Sequence, residues 1–391
     1  MEKDIIKAFE QVDNLEKTYL EYLKEICLIN SKSEDKQDVD RVLETILERE
    51  KSKEYRVVRK AMENAGDVAS LTLLNGEELP TICLSAHMDT VFPKGTFSDP
   101  MVTEDEEKMY GPGVADDKGG VVLGFLIMEA LKNIGFKKAN VKMILQSDEE
   151  VGSVISDKKT LDFMCDEAKG SLAFFNLESS MTNSLTLSRY GILNAYFEII
   201  GKAAHAATKL SGKSVSAIKE AAEKIVEIED YNGGKNLSFV VGKIQGGSAN
   251  NVISENCKFT VDCRVKTKED MEKAKEFLLR VANKQYVEGT ICKVEFTVNH
   301  MPFEENEKTN WLFDFMNDVS KKYFNEEYIR TEISGGGADS AYPSAAGIPT
   351  ICSAGFIGGK LHTTQEYMVK SSMAKTAKAL IATIFELANN N

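Results

Sequence analysis

Up to about residue 47 the chain is charged, with apolar positions such as Leu15, Tyr19, Tyr22, Leu23 and Ile26 recurring at helical spacing, which predicts helix with weak caps. From Ala69 onward the texture changes to short apolar runs alternating with helical stretches: 81–86 (TICLSA), a helix over 120–132, 141–146 (VKMILQ) and 172–177 (LAFFNL). Continuous apolar runs between helices predict strands buried on both faces, hence an α/β fold with a mostly parallel sheet covered by helices.

A second pattern begins near Ile192. The strand ILNAYFEII is followed by a helix over 215–228, with Val215, Ile218, Ala222, Ile225 and Ile228 on its expected apolar face. Strands over 237–244 and 257–265, a helix from 268 to about 281 and a strand over 291–298 complete a β-α-β-β-α-β order, that of a ferredoxin-like sandwich. Phe259, Val261, Cys263 and Val265 alternate with Thr260, Asp262 and Arg264, so one sheet face is apolar and the other is open to other uses. After Pro302 the α/β texture returns, with helices over 309–323 and 371–389, a loop over 334–339 and a buried run over 348–353. The expected organisation is therefore a first domain built from 1–189 and 303–391, interrupted by a smaller domain over 190–302.

Composition narrows the partners. At 391 residues the chain has room for two or three domains, and its formal net charge of −13 with no basic patch disfavours nucleic acid. No run approaches the roughly 20 apolar residues of a membrane span, and the charged start lacks the apolar core of a signal peptide. Seven cysteines, odd in number and without a CxxC pair, read as reduced residues of a cytoplasmic protein.

The polar residues that end the buried runs carry the chemistry. His87 and Asp89 follow TICLSA; Asp148, Glu149 and Glu150 follow VKMILQ; Glu178 follows LAFFNL; His362 lies beyond the 348–353 run. Asp116 and Asp117 sit in GPGVADDKGG, where a helix begins. Taken singly, an HxD is most often incidental, a DEE is a solvated charge cluster, and the glycine-rich segment is a turn with a helix cap. Taken as an ordered set at the carboxyl ends of strands, two histidines with several carboxylates form a mixed nitrogen and oxygen donor set suited to zinc or a similar divalent ion.

From about Pro80 to the C-terminus, through SAHMDTVF, GPGVADDKGG, SDEEVGS, FNLESS, GKAAHAAT, GGSANNVISENC, VDCR, SGGGADSAY and LHTTQEY, the sequence resembles the dinuclear-zinc peptidase and amidohydrolase family. That family contains glutamate carboxypeptidase, aminoacylase, acetylornithine deacetylase, succinyl-diaminopimelate desuccinylase and peptidase T, and the glutamate carboxypeptidase branch is the most similar. Ser254 stands where the family usually has proline. The resemblance implies two Zn²⁺ per subunit, with Co²⁺ or Mn²⁺ as substitutes: His87, Asp116 and Glu178 on one, Asp116, Glu150 and His362 on the other, and Asp116 bridging. It implies that Asp89 orients His87, that Glu149 is the general base and that Asp117 is structural.

In the smaller domain it implies a lid that mediates a homodimer, with His205 as a transition-state donor. Asn251 and Arg264 hold a substrate carboxylate in this reading; Arg264 offers a planar fork on the polar strand face, against the alternative of a surface pair with Asp262. Gly335, Gly336 and Gly337 either bring backbone N–H groups to the same carboxylate or form a plain turn. His300 has no assigned role. The expected activity is hydrolysis of an amide bond next to a free carboxylate in a small peptide or N-acyl amino acid, releasing a C-terminal amino acid. The alternative is an N-acyl amino acid deacylase or a dipeptidase.

Overall fold

The charged N-terminal stretch forms two helices, α1 (Glu2–Cys27) and α2 (Lys36–Glu50), in the computed structural model, which describes residues 2–212, 214–331 and 333–390. The break falls where Asp35 caps α2, its carboxylate accepting the Asp38 N–H at 3.3 Å. Along α1 the buried residues Ile5, Ala8, Val12, Tyr19, Tyr22, Leu23 and Ile26, together with the partly buried Leu15, recur every three or four positions, a stripe that packs on α3 (Lys118–Asn133) and the C-terminal helix Lys370–Asn389. Each large apolar side chain in that stripe contributes about 1.5–3 kcal/mol, so this segment, which matched no motif, belongs to the main core.

The chain divides into two compact units, one formed by Met1–Ser188, Glu305–Ile333 and Ala338–Asn391, the other by Arg189–Glu304 and Ser334–Gly337. In the first, β1 (Arg56–Lys60), β2 (Val68–Leu73), β3 (Thr81–His87), β4 (Asn140–Gln146) and β5 (Ala173–Asn176) join the short strand Thr350–Ile351 in the order β1-β2-β4-β3-β5-Thr350–Ile351. The β4, β3, β5 and Thr350–Ile351 strands run parallel, with α4 (Lys159–Ala168) between β4 and β5 in the chain, while β1 and β2 add an antiparallel edge. Register positions the chemistry: His87 lies opposite Gln146 and Ser85 opposite Asn176, so β3, β4 and β5 end along one rim.

The second unit is a four-stranded antiparallel sheet of β6 (Gly191–Ile200), β7 (Leu237–Gly246), β8 (Asn256–Val265) and β9 (Ile291–His300), ordered β7-β8-β6-β9 and packed by α5 (Ala217–Glu229) and α6 (Lys268–Asn283). Cys257, Phe259, Val261, Cys263 and Val265 of β8 are buried, and Phe259 stacks on its cross-strand partner Phe197 at 4.5 Å between centroids. On α5 the buried face differs from the apolar stripe expected from the sequence. Ala217, Glu220, Ala221, Lys224 and Ile228 are buried, whereas Ile218 is 43% exposed.

The reason is polar. Lys224 Nζ lies 3.0 Å from Glu220 Oε1 and donates to Val281 O and Ala282 O at 2.6 and 3.1 Å, while Glu220 Oε2 accepts the Tyr286 and Val287 N–H groups at 2.9 and 2.6 Å. A fully satisfied internal pair therefore sets the rotation of the helix.

Candidate metal centre

The rim of the parallel strands gathers the ligand-type side chains. His87 is the last residue of β3; Glu149 and Glu150 open a single 3-10 turn, Glu149–Val151, just beyond β4; Glu178 follows β5. Asp116 precedes Asp117, which caps α3 by accepting the Gly120 N–H at 3.2 Å. A Cβ on Gly120 would stand 2.3 Å from Asp117 Oδ1, so this cap needs glycine there.

Asp116 lies between two imidazoles. His87 Nε2 is 3.1 Å from its Oδ1, and His362 Nε2 is 3.2 Å from its Oδ2 and 3.0 Å from Glu150 Oε2. His87, Asp116 and Glu150 each offer a donor atom within 4.8 Å of the others, as do His87, Glu149 and Glu178. His362 adopts φ +61°, a left-handed conformation that residues with a Cβ seldom take.

The electrostatics follow from this crowding. Burial opposes ionisation of Asp116, but His362 and His87 outweigh it and hold the carboxyl well below the usual aspartate range. Burial and the neighbouring Asp116 charge push Glu150 up to about 7, and burial with Asp339 pushes Glu149 well above its ordinary value. Hydrogen bonds to Asp116 and Glu150 raise His362 to about 10. Burial works against a charged His87 ring, yet Asp116 and Asp89 prevail and raise it. So many buried carboxylates around two histidines constitute a demand for positive charge.

Asp89, with no exposed surface, stands behind His87. Its Oδ1 is 3.3 Å from His87 Nδ1 and accepts the Glu149 N–H at 3.2 Å, while Oδ2 accepts the Glu150 N–H at 3.1 Å and the Ser33 hydroxyl at 2.7 Å. One carboxylate thus orients the histidine and anchors the turn that carries both glutamates.

Two contributors were missed by sequence reasoning. Glu366, fully buried, accepts the Ala115 and Asp116 N–H groups at 2.9 and 3.1 Å, and burial with the Asp116 charge pushes it up to about 8. Lys118, also fully buried, donates to Ile26 O and Ile29 O at 3.1 and 2.7 Å, tying the Asp116 loop to the end of α1. Both lie inside quoted motifs, ADDKGG and LHTTQEY, and a charged residue within four positions of a candidate donor was the available signal.

In the second unit the other named residues form two groups. His205 and Asn251 are exposed, and a two-residue ribbon pairing Ala204–His205 with Val252–Ile253 holds their loops together; the Ala206 N–H donates to Asn251 O at 2.9 Å. His205 Nδ1 accepts the Ala207 N–H at 3.2 Å, so in the neutral ring Nε2 carries the proton. Ser254, in place of the usual proline, donates from Oγ to Asn256 O at 2.6 Å.

Arg264 is gripped by Asp262, with Nε and Nη2 at 2.6 and 3.0 Å from its two oxygens, and its Nη1 donates to Gly335 O at 3.0 Å. Gly336 is exposed, and Arg189 donates to Gly337 O at 3.2 Å. The polar-face position expected for Arg264 therefore coexists with the Asp262 pair. His300 packs on Gly337, where a Cβ would meet its Cγ at 2.3 Å.

A protein-family model described as peptidase family M20/M25/M40 matches residues 83–386. Carboxypeptidase G2 of Pseudomonas sp. (strain RS-16) is 29% identical over 309 residues, spanning 77% of this chain and 72% of that protein. A probable succinyl-diaminopimelate desuccinylase of Staphylococcus aureus (strain MRSA252) is 21% identical over 357 residues, spanning 83% and 86%. Among solved structures, a tripeptidase from S. aureus subsp. aureus Mu50 has the same fold, with a TM-score of 0.81 at 21% identity over 96% of this chain and 99% of that one.

Proposed function

The chain belongs to peptidase family M20/M25/M40 and is a metal-dependent hydrolase, and from that premise we propose that it cleaves the amide bond next to a free carboxylate, acting as a carboxypeptidase. The observation that carries this reading is the convergence of His87, His362, Asp116, Glu149, Glu150 and Glu178 at one strand rim. Similarity to carboxypeptidase G2 supports the choice of bond. The donor set fits two divalent ions, Zn²⁺ first and Co²⁺ or Mn²⁺ as substitutes: nitrogen and carboxylate donors, buried or half-buried except for the exposed His362, with an aspartate that offers one oxygen to each side. We assign His87, Asp116 and Glu178 to one ion and Asp116, Glu150 and His362 to the other. When bound, such ions acidify water and polarise a carbonyl oxygen.

The chain's own groups do the rest. Glu149, adjacent to a ligand and buried, is the general base: it takes a proton from the attacking water and returns it to the amine nitrogen as the C–N bond breaks. Asp89 keeps His87 in the tautomer that leaves Nε2 free to ligate. His205, whose Nδ1 is already an acceptor, donates from Nε2 to the oxygen on which charge develops. Arg264, Asn251 and the N–H groups around Gly336 hold the substrate carboxylate, with Asp262 keeping the guanidinium in place.

The second reading, an N-acyl amino acid deacylase or dipeptidase, is favoured by the similarity to the desuccinylase, and the same residues would serve it. We further propose a homodimer through the second unit and a cytoplasmic location, the latter supported by five cysteines held buried as free thiols. Among the described residues no helix is long and apolar enough to cross a membrane.

Zinc-loaded protein assayed on acyl-glutamate, acyl-ornithine, succinyl-diaminopimelate and dipeptides, each with a free or amidated C-terminal carboxylate, tests the proposal. Turnover of acyl-glutamate that collapses on amidation is expected. Equal turnover of free and amidated forms would rule out a carboxylate-dependent exopeptidase.

A further inference from the structure

The segment that leaves α1 runs directly behind the metal centre. Lys118, two residues after Asp116, grips its start through Ile26 O and Ile29 O. Its end is laid along the residues that follow His87: Thr90 N–H donates to Ser31 O at 2.8 Å, and Ser33 N–H donates to Thr90 O at 3.3 Å. Between these anchors Ser31 and Ser33 are each 1% exposed. Their hydroxyls differ. Ser33 Oγ donates to Asp89 Oδ2 at 2.7 Å, whereas Ser31 Oγ has no hydrogen-bond partner.

Asp89 needs that fourth contact. Three of its partners, the His87 ring and the Glu149 and Glu150 N–H groups, belong to the elements that carry the candidate ligands and the base. Ser33 comes from outside this set and carries a short hydrogen bond to a buried charge, the stronger kind. Removing the hydroxyl leaves one lone pair of Oδ2 without a donor in a site closed to solvent and frees the carboxylate to rotate.

We propose that Ser33 is a positioning residue for the metal centre, acting through Asp89 on the His87 ring and on the turn that carries Glu149 and Glu150. The proposal rests on the reading of His87 and Glu150 as metal ligands. The N-terminal strap, without a ligand of its own, thereby becomes part of the metal-binding machinery. Residues that orient a ligating histidine from behind are worth about 10–100-fold in metal affinity.

The test is Zn²⁺ affinity of the full-length protein, measured by competition with a chromogenic chelator for wild type, Ser33→Ala, Ser33→Thr and Ser31→Ala, alongside the thermal midpoint of each metal-free protein. Ser33→Ala is expected to bind Zn²⁺ at least tenfold more weakly, Ser33→Thr to recover most of that loss because it keeps the hydroxyl, and Ser31→Ala to bind as wild type. Wild-type affinity in Ser33→Ala would overturn the proposal. So would an equal loss in both alanine variants, or a Ser33→Ala protein that does not fold, since each makes the strap a packing element only. Failure of the wild type itself to bind Zn²⁺ would instead overturn the underlying assignment of the ligands.

Discussion

Glu149 and Glu150, neighbours in the chain, face different histidines: Glu149 Oε2 lies 4.0 Å from His87 Nε2, and Glu150 Oε2 lies 3.0 Å from His362 Nε2. They sit on a 3-10 turn, where about three residues per turn sends successive side chains some 120° apart. One turn can thus supply both a ligand and a base. Glu149→Gln should keep its metal and lose about 10²–10⁴-fold in kcat, while Glu150→Gln should lose metal first. Metal analysis beside steady-state kinetics checks this, and reversed behaviour would exchange the two roles.

Dialysis against a chelator should abolish turnover and lower the thermal midpoint, because the ions bind the folded chain and offset the clustered carboxylates. Adding Zn²⁺, Co²⁺ or Mn²⁺ should restore both. Undiminished activity in rigorously metal-free protein would contradict the metal assignment.

Arg264→Lys keeps the charge but removes the planar fork that Asp262 holds. We expect kcat/KM to fall at least tenfold, about 1.4 kcal/mol, with metal content unchanged. Amidating the substrate carboxylate should then cost the variant much less than it costs the wild type. An identical penalty in the two proteins would free Arg264 from the carboxylate.

Lys224→Ala removes one partner of a buried pair and leaves Glu220 without its counter-charge and three backbone carbonyls at the C-terminal end of α6 without their donor. Urea denaturation should show a loss of about 3–5 kcal/mol. A change below 1 kcal/mol would mean that the pair does not fix α5.

Glu50 is 2% exposed with neither carboxylate oxygen hydrogen-bonded, and burial raises it from 4.5 to about 7 against the opposing charge of Lys53. The folded chain therefore holds this proton more tightly than the unfolded chain does. Its stabilising contribution is complete below about pH 4.5, is lost as pH rises through 7, and stays lost above. Glu50→Gln cannot ionise, so its thermal midpoint relative to wild type should rise between pH 5 and pH 8. A gap that stays constant would place the titration elsewhere.

Much of the centre is legible in the chain because donor side chains that end strands stand beside the apolar runs that announce those strands. His87, Glu149, Glu150 and Glu178 each follow such a run, and parallel register carries them to one rim. The alternation on β8 likewise named its buried face from sequence alone. Other features left no local mark. Ser33 meets Asp89 across 56 positions, Lys118 meets the end of α1 across about 90, and Glu366 meets the Asp116 loop across 250. A hydrogen bond between distant residues has no period, so only the folded chain could reveal these supports. The rotation of α5 was decided in the same way, since a lysine and a glutamate outside the apolar stripe expected from sequence become interior once Val281, Ala282, Tyr286 and Val287 arrive to satisfy them. Sequence determined which side chains could bind metal, because donor chemistry belongs to the residue; tertiary structure decided what holds them still, because desolvation and hydrogen-bond geometry exist only between segments.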